Sequence, residues 1–422
     1  MAHNDRYTLV YRHIGREYLL SFVVAFFFFF FIFFINQILL IAQKILLKNV
    51  DFFAVFQLIL LSIPQFLLYT FPFSSLTASS MVIGDLSGSN EILAIRASGI
   101  SLKRVFYPII ALSILFSAMT FFTADVALPW STRQYKALYA SLMKDLPTLE
   151  LTSNSTNTIG DKVMVNKKVL GSTVEDIILF DLSNSKESQI LSSPKGEVTL
   201  VDLQNFIYLL DLTSPLIMNS NQNDINSWSL SRADTAKFYL NFSGQVASLA
   251  TALPSQLSIE ELKSSIAKHK ITLQRDYTTN EEKLSEAKEK AALLAYGLDA
   301  GIDFDEDAFI AAQEEITELE DKVLINFYYQ YYRAELHKKY ALSAACFMLV
   351  FLTFSLSFYK VKHGRLIGFG LSMLIAVLYW YMLFFAQMKI FSTVINPGFL
   401  IWTPNFILFG AGILLLLRSR HL

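Results

Sequence analysis

Long apolar segments divide the chain into two groups of three, with an extended polar region between the groups. The segments are Tyr18–Ile41, Phe52–Ser79, Val105–Thr123, Tyr340–Phe358, Leu366–Ala386 and Ile401–Leu417. The hydrocarbon core of a bilayer is about 30 Å thick, and a helix of roughly 20 apolar residues crosses it. The pattern therefore predicts six transmembrane helices, the second of them interrupted by Pro64 and Pro72.

The first half of the polar region alternates apolar runs with turn residues. Between Ile159 and Asn241, short runs rich in Val, Ile and Tyr are separated by Asn, Asp, Ser and Gly. The runs are Lys162–Val165, Asp176–Asp181, Glu197–Val201, Phe206–Leu212 and Thr235–Phe242. Short strands at such regular spacing are typical of an antiparallel sandwich or barrel.

The second half of the polar region, from Ser258 to about Tyr332, has a helical pattern. Ser258 and Glu261 have the spacing of a capping box, which predicts the start of a helix. In a second helix, apolar residues recur at three- and four-residue intervals: Phe309, Ala312, Ile316, Leu319 and Val323. Because Gly297–Asp305 separates the two helices, the segment predicts an antiparallel helical hairpin.

Composition supports the assignment to a membrane. Hydrophobic residues make up 53% of the 422 residues and charged residues only 17%, whereas soluble domains are usually about a quarter charged. The net charge of −1 gives no basis for nucleic-acid binding, and the single cysteine, Cys346, excludes an internal disulfide. The arginines before the first apolar run resemble a signal peptide. That run is too long and lacks a cleavage site, so we predict an uncleaved span.

Lysine and arginine are distributed unequally between the two sides of the predicted bundle. Eleven lie in the termini and loops of one side: Arg6, Arg12, Arg16, Arg96, Lys103, Arg104, Lys360, Lys362, Arg365, Arg418 and Arg420. The short loops of the other side hold three: Lys44, Lys48 and Lys389. Since cytoplasmic loops are enriched in these residues, both termini are predicted to be cytoplasmic and the long polar region to lie outside.

A short amphipathic segment lies between the second and third spans. Glycines bound Gly84–Gly99, and within it Ile92, Leu93 and Ile95 lie beside the charged Glu91 and Arg96. One interpretation is an exposed loop helix whose ion pair contributes little. The other is a helix that docks into a groove of a cytoplasmic partner. The combination of charged and apolar positions favours docking.

Polar residues at the outer end of the first span allow two interpretations. Lys44 and Lys48 follow Asn36, Gln37 and Gln43. Lysines at the end of a span commonly extend toward the membrane surface, and these two need do nothing more. Alternatively, they bind phosphate groups of an amphiphile that enters a cavity between helices.

Motifs for catalysis and metal binding are missing from the sequence. No glycine is followed by lysine, so there is no Walker A loop, and the His-Glu-x-x-His motif does not occur. Acidic residues from Asp303 to Glu314 have partly the spacing of a calcium loop, but Ala308 stands where the turn requires glycine. We therefore predict no metal site and no catalytic residues, and any ATP hydrolysis must occur in another subunit.

Four motifs, in the same order along the chain, resemble the LptF/LptG family of lipopolysaccharide-export permeases. They are Glu91-Ile-Leu-Ala-Ile-Arg-Ala-Ser-Gly-Ile-Ser101, Glu335-Leu-His-Lys-Lys-Tyr-Ala-Leu342, Gly364-Arg365 with Gly368-Phe-Gly370, and Trp402-Thr-Pro-Asn405. The resemblance covers nearly the whole chain. It implies an α+β membrane protein with six transmembrane helices, a periplasmic antiparallel β-jellyroll and a helical hairpin, both inserted between the third and fourth spans.

The resemblance also implies a function. Two paralogous permeases form a heterodimer in the bacterial inner membrane, and a cytoplasmic ABC ATPase dimer drives them with ATP, so this chain needs no cofactor. Lipopolysaccharide, or a similar lipid amphiphile, is extracted from the outer leaflet of that membrane. It passes through the jellyroll to a periplasmic bridge protein of jellyroll type, and the first and fifth spans act as lateral gates.

Residue roles follow from the motif positions and the residue patterns together. Glu91 corresponds to the acidic residue that meets the ATPase, and Asp85, Ile92 and Arg96 are assigned to the same contact. Asn36, Lys44 and Lys48 are assigned to the substrate cavity and gate. Apolar runs of the jellyroll supply the expected groove residues: Val163, Ile178, Phe180, Ile207 and Leu209.

The predicted domains are residues 1–124 with the coupling helix near 85–98, the jellyroll at 125–254, the hairpin at 255–338, and the last three spans at 339–422.

Two other classes of protein remain as alternatives. One is a non-transporting scaffold with a periplasmic lipid- or protein-binding domain, or an enzyme acting on lipid. The other is an exporter of a different cargo, such as lipoprotein.

Overall fold

The computed structural model of the chain describes residues 2–44, 51–145, 151, 153–159, 162–181, 187–202, 207–221, 228–241, 253–299, 306–357, 364–393 and 395–419. Among them, six helices are long and apolar enough to cross a membrane. These are α1 (Ala2–Lys44), α2 (Phe52–Gly88), α4 (Leu102–Phe122), α8 (Phe327–Ser357), α9 (Arg365–Lys389) and α10 (Pro397–Ser419). A seven-residue helix, α3 (Glu91–Ala97), joins α2 to α4.

The second span is a single helix, so the predicted interruption at Pro64 and Pro72 is wrong. Helix α2 continues across both prolines. A membrane helix tolerates proline because neighbouring groups form hydrogen bonds with the carbonyls that the proline leaves free.

The outward faces of the helices are apolar, whereas hydroxyl groups lie between the helices. Leu374, Tyr381 and Leu414 expose 65%, 66% and 70% of their surface. Such extensive apolar exposure suits a lipid environment, not water. Between the helices, the Tyr18 hydroxyl lies 2.7 Å from Ser75 Oγ, which donates to the carbonyl of Cys346 at 2.9 Å. Small hydroxyl side chains of α2 thus hold α1 and α8 close.

The third span ends in an irregular turn. After Phe122 the chain forms a π-helical turn, Thr123–Ala127, and then continues as α5 (Leu128–Asp145). A π-helical turn shifts the backbone hydrogen bonds by one residue, and such turns are frequent at functional sites.

The region after α5 contains an eight-stranded antiparallel sheet, which agrees with the all-β pattern of its sequence. The strands are β1 (Ser155–Ile159), β2 (Lys162–Leu170), β3 (Thr173–Asp181), β4 (Glu187–Asp202), β5 (Ile207–Thr213), β6 (Leu216–Asn221), β7 (Trp228–Arg232) and β8 (Thr235–Asn241). All five predicted runs fall on strands, although Phe206 and Phe242 lie outside the described residues. The sequence did not predict β1, β6 and β7, whose polar residues weaken the apolar pattern.

The long strand β4 organises the sheet. Strands β1 to β5 pair in chain order, and β8 pairs with β5. The first part of β4, Glu187–Ser192, pairs with β6, and the last part, Lys195–Asp202, pairs with β5. The sheet therefore branches along β4, and β7 extends one branch by pairing with β6.

The sheet bends along a line that crosses three strands. Asn166 pairs with Ile177, and Ile177 pairs with Ser193, so the register places Lys167, Asp176 and Pro194 opposite one another. At this line each strand has two successive residues outside the core: Lys167 and Lys168, Glu175 and Asp176, Pro194 and Lys195. Asp176 has a positive φ of 51°. A residue in that conformation disturbs the regular pleat and lets the sheet bend, while the register of the strands is the same on both sides of it.

The concave side of the bent sheet encloses the core of the β domain. Residues on both sides of the bend belong to one cluster of buried side chains, which includes Met164, Leu179, Leu191, Val198 and Leu210. Gly196 lies inside this cluster, where an added Cβ would come within 2.6 Å of the Ile177 side chain. Along β2, β3, β4 and β5, buried apolar positions alternate with outward-facing positions on either side of the bend.

The predicted helical hairpin is present. Helix α6 (Ile259–Asp299) and helix α7 (Glu306–Asp321) are antiparallel, since Lys288 pairs with Glu320 at 2.7 Å and Tyr277 reaches the carbonyl of Leu324. The capping box is confirmed. The backbone N–H of Ser258 donates to Glu261 at 2.7 Å, and that of Glu261 donates to Ser258 Oγ at 3.3 Å.

The chain forms two compact units. The first comprises Met1–Phe27, Leu68–Asp125 and Leu257–Leu422, and the second comprises Phe28–Leu67 and Val126–Gln256. The first contains most of the helical bundle and the hairpin. The second contains the β domain with the remaining parts of α1 and α2. The four-part division of the chain stays a prediction.

Candidate functional site

Helix α3 is set apart from its neighbours by a left-handed residue at each end. Asn90, between α2 and α3, has φ of 62°, and Gly99, just beyond α3, has φ of 80°. Asparagine and glycine adopt this conformation more readily than other residues. The sequence Asn90 to Gly99 thus encodes a short helix that is turned away from the axis of α2.

Glu91 is both paired and accessible. Its Oε2 lies 3.3 Å from His13 Nε2 of α1, and its Oε1 accepts a hydrogen bond from Ser89 Oγ at 3.1 Å. The Glu91 side chain nevertheless exposes 45% of its surface. One side of this carboxylate therefore faces the bundle, and the other is free to meet a partner.

The other residues predicted at this contact differ in accessibility. Ile92 is partly buried, whereas the next residue, Leu93, is 70% exposed. Arg96 lies on the same helix. Leu93 is thus the apolar residue of α3 best placed to enter a groove. The sequence identified Leu93 as part of an amphipathic segment but did not show which face of α3 it occupies.

Asp85 takes part in a charge cluster within the bundle. Its Oδ2 lies 3.8 Å from Arg365 Nη1, and the same nitrogen lies 3.7 Å from Glu17 Oε2 of α1. Arg365 Nη2 donates to Ser21 Oγ at 2.9 Å. The predicted partner-contact residue Asp85 therefore has an internal partner. Sequence reasoning missed this role of Arg365, which it had named only within a motif and among the basic residues of the predicted cytoplasmic side.

Small residues bring α9 close to α2 beside this cluster. A Cβ added at Gly368 would lie 2.4 Å from the carbonyl oxygen of Ser80, and one added at Gly84 would lie 3.1 Å from that of Gly364. The Ser80 hydroxyl also donates to the carbonyl of Gly368 at 2.7 Å. The spacing of Gly364 and Gly368 and of Ser80 and Gly84 is the small-xxx-small pattern of tightly packed membrane helices.

The predicted substrate-cavity residues are placed only in part. Asn36 and Lys44 lie in the last third of α1, and Lys48 lies outside the described residues. Nearby on α1, Phe31, Ile32 and Ile35 are about half exposed. Their assignment to cargo binding stays a prediction.

The five predicted groove residues do not belong to the buried interior of the β domain. Val163, Phe180, Ile207 and Leu209 are partly buried, and Ile178 is 39% exposed. Each alternates with a fully buried neighbour such as Met164, Leu179 or Tyr208. Because successive side chains of a strand point to opposite faces, the expectation that these five point inward is corrected. They lie on the outward faces of the bent sheet.

Buried charges occur at the start of α8, in the motif that begins with Glu335. Glu335 and Lys339 expose only 7% and 4% of their surface. Lys339 donates to the carbonyl of Ala124 in the π-helical turn, and Lys338 pairs with Glu335 at 3.2 Å. The neighbouring Asp125 accepts the backbone N–H of Ile259 at 2.7 Å. The motif therefore ties α8 to the end of the third span, next to the start of α6.

These features define a class of protein. Six apolar helices with an inserted β domain and hairpin form a multi-pass membrane protein, and the described residues contain no cluster of side chains suited to holding a metal ion. The sequence profile of the lipopolysaccharide export system permeases LptF/LptG matches residues 12–418. The chain therefore belongs to the LptF/LptG family. No curated protein matches the chain.

Membership of this family confirms the resemblance and the expectation that the chain is a lipopolysaccharide-export permease. The chain is a permease of the lipopolysaccharide export system and a multi-pass membrane protein. Permeases of this family are transmembrane subunits without catalytic activity, and no cofactor is expected in this chain.

Proposed function

We propose that the chain is one of two paralogous permeases that form a heterodimer, and that a cytoplasmic ABC ATPase dimer drives it through α3. The observation that supports this assignment is the geometry of α3. Left-handed residues turn the helix away from α2, and it exposes Leu93 and half of Glu91. An exposed apolar residue beside an accessible charge suits a groove with a basic rim on a partner.

The proposed orientation puts both termini and α3 in the cytoplasm of a bacterium and the permease in the inner membrane. The excess of lysine and arginine at the termini and in the α2–α4 connection supports it. The β domain and the hairpin then lie in the periplasm.

The proposed cargo path begins between transmembrane helices. Lipopolysaccharide leaves the outer leaflet of the inner membrane at gates formed by α1 and α9. Asn36, Lys44 and Lys48 contact its anionic head group there. Charge-assisted hydrogen bonds of lysine to phosphate supply the required attraction. The alternative for the two lysines is that they only extend to the membrane surface.

The β domain is proposed to receive the cargo and pass it to a periplasmic bridge protein of jellyroll type. Among the described strands, β7 and β8 each pair with one neighbour. An unpaired strand edge is a template for pairing with another sheet, and it suits a partner with exposed strand edges of its own. The five outward-facing residues Val163, Ile178, Phe180, Ile207 and Leu209 are proposed to contact the cargo.

The test of this function combines purification with one charge reversal. The wild-type complex should retain an ATPase and release lipopolysaccharide from proteoliposomes only with ATP. Glu91→Lys should lose ATPase association or ATP-driven release, because reversing one partner of a desolvated charge pair costs about 2–5 kcal/mol.

The matched control is Glu260→Lys, which reverses an exposed acidic residue in the first turn of α6. This variant should bind the ATPase and release cargo as the wild type does. Normal binding and release in Glu91→Lys would contradict the proposed contact. A wild-type complex without any ATPase would favour a scaffold, and release of lipoprotein alone would favour a different cargo.

A further inference from the structure

Arg365 contacts two helices besides its own. It is the first residue of α9, and its guanidinium reaches Glu17 and Ser21 of α1 and Asp85 of α2. The side chain thus joins the ends of the first, second and fifth spans. A guanidinium suits this position because its five donors lie in one plane and point in several directions.

The backbone at Arg365 is held in place by close packing. Gly364, just before it, puts its carbonyl oxygen 3.1 Å from a Cβ added at Gly84, and Gly368 packs against the carbonyl of Ser80. The first turn of α9 therefore follows the end of α2. Because the first turn of α9 packs against α2, the Arg365 side chain is long enough to reach α1.

The end of α2 leads directly to the proposed ATPase-contact helix. Asp85 lies in the last turns of α2, and Glu91 begins α3 just beyond the left-handed Asn90. Glu91 in turn lies 3.3 Å from His13, one turn before Glu17 on α1. Movement of α3 thus acts on α1 through His13 and reaches Arg365 through Asp85.

We propose that Arg365 is a positioning residue of the transport cycle: it transmits displacement of α3 and the end of α2 to both α1 and α9. This proposal rests on the function proposed above, because it takes α3 as the ATPase contact. Arg365 does not touch the nucleotide in this role. It makes α1 and α9 move together, so that one catalytic cycle of the ATPase displaces both helices.

The ion pairs of Arg365 suit a contact that is broken and remade in each cycle. The distances of 3.7 and 3.8 Å are long for ion pairs, and the side chain is 40% exposed. Solvent-exposed pairs contribute little to stability. Loss of Arg365 should therefore change the coupling between sites more than it changes folding.

The experiment measures ATP hydrolysis and cargo release in the same proteoliposomes. Arg365→Gln should keep ATPase association and hydrolysis close to the wild type. It should deliver about tenfold less lipopolysaccharide per ATP, a loss within the usual range of coupling between two sites. Arg365→Lys should give an intermediate ratio, because a lysine keeps the charge but cannot hold several partners in one plane.

Further variants separate coupling from folding. Arg418→Gln removes an exposed arginine in the last turn of α10 and should leave the ratio unchanged. Exchanging the charges in Arg365→Asp with Asp85→Arg should restore part of the ratio. If Arg365→Gln does not assemble, Glu17→Gln replaces it, since this change removes only the ion pair to α1 and should lower the ratio.

An unchanged ratio in Arg365→Gln or in Glu17→Gln would overturn the role of Arg365. An equal loss of hydrolysis and release would also overturn it, because a merely structural residue has that effect. A wild-type complex that hydrolyses no ATP or releases no cargo would overturn the proposed function itself. The two failures are therefore distinguishable in one assay.

Discussion

Lys339 shows how a single buried charge ties together separate parts of the chain. It is almost fully buried and donates to the carbonyl of Ala124 in the π-helical turn. The carboxylates of Asp125 and Glu335 are near enough to interact with it electrostatically. A buried ammonium group is stable only when its donors are satisfied and opposite charges are close.

Removing this charge should destabilise the protein. Lys339→Met keeps most of the side-chain volume but leaves the Ala124 carbonyl and the carboxylates without their donor. We expect the loss of a charged hydrogen bond to cost about 1.5–3 kcal/mol. Thermal or denaturant unfolding in detergent micelles measures this change.

The control is Lys322→Met, which removes an exposed lysine after α7 and should shift stability by less than about 0.5 kcal/mol. Equal stability of Lys339→Met and the wild type would mean that Lys339 contributes nothing to the link between α8 and the π-helical turn.

At the scale of elements, packing between α2 and α9 depends on particular glycines. Gly368 and Gly370 both lie on α9, but only Gly368 faces a neighbour. An added Cβ would lie 2.4 Å from the Ser80 carbonyl oxygen at Gly368 and would meet nothing within 4 Å at Gly370. The same substitution at the two positions thus has opposite consequences.

We expect Gly370→Ala to be neutral or stabilising by up to about 1 kcal/mol, because alanine favours helix. Gly368→Ala should destabilise by about 1–3 kcal/mol, because α9 must move away from α2. Unfolding in micelles compares the two directly. Equal stability of the two variants would show that the close approach at Ser80 is not required.

The end of the first span provides a second prediction at this scale. Changing Lys44 and Lys48 together to glutamate should lower photocrosslinking of lipopolysaccharide to α1 by about tenfold or more, because each charge-assisted bond to phosphate contributes about 1.5–3 kcal/mol. Changing both to arginine should preserve crosslinking. Unchanged crosslinking in the glutamate variant would mean that both lysines only extend to the membrane surface.

At the scale of the whole molecule, the bend of the sheet decides which apolar residues remain outside. An apolar row crosses the outer face through paired positions: Val163, Phe180, Ile190, Met218 and Leu230. Met218 and Leu230 expose 36% and 53% of their surface. A contiguous apolar row on an exterior face marks an interaction site.

A photoreactive residue tests whether cargo follows this outer face. Placed at Phe180, it should capture lipopolysaccharide only when ATP is supplied. Placed at the exposed Lys168, at the bend, it should not. Capture at the buried Leu179 but not at Phe180 would place the cargo in the interior. Capture at Phe180 without ATP would mean passive binding.

Local patterns in the sequence determined much of this protein. Apolar length specified the six spans, because crossing a bilayer requires a fixed number of residues. The capping box of Ser258 and Glu261 needed only a three-residue spacing. The sequence also singled out Glu91, because charge and apolar residues adjoin within one short segment.

The tertiary structure alone decided which distant groups meet. Arg365 contacts Glu17 and Asp85, which lie more than 200 residues away along the chain, and no local periodicity reports such a contact. The sequence likewise did not show which face of the β-sheet is enclosed. A strand pattern shows that two faces alternate, but the bend at Asp176 shifts the alternation and determines which face is enclosed. Long-range packing, not local preference, sets these features, since it depends on where separate elements are brought together.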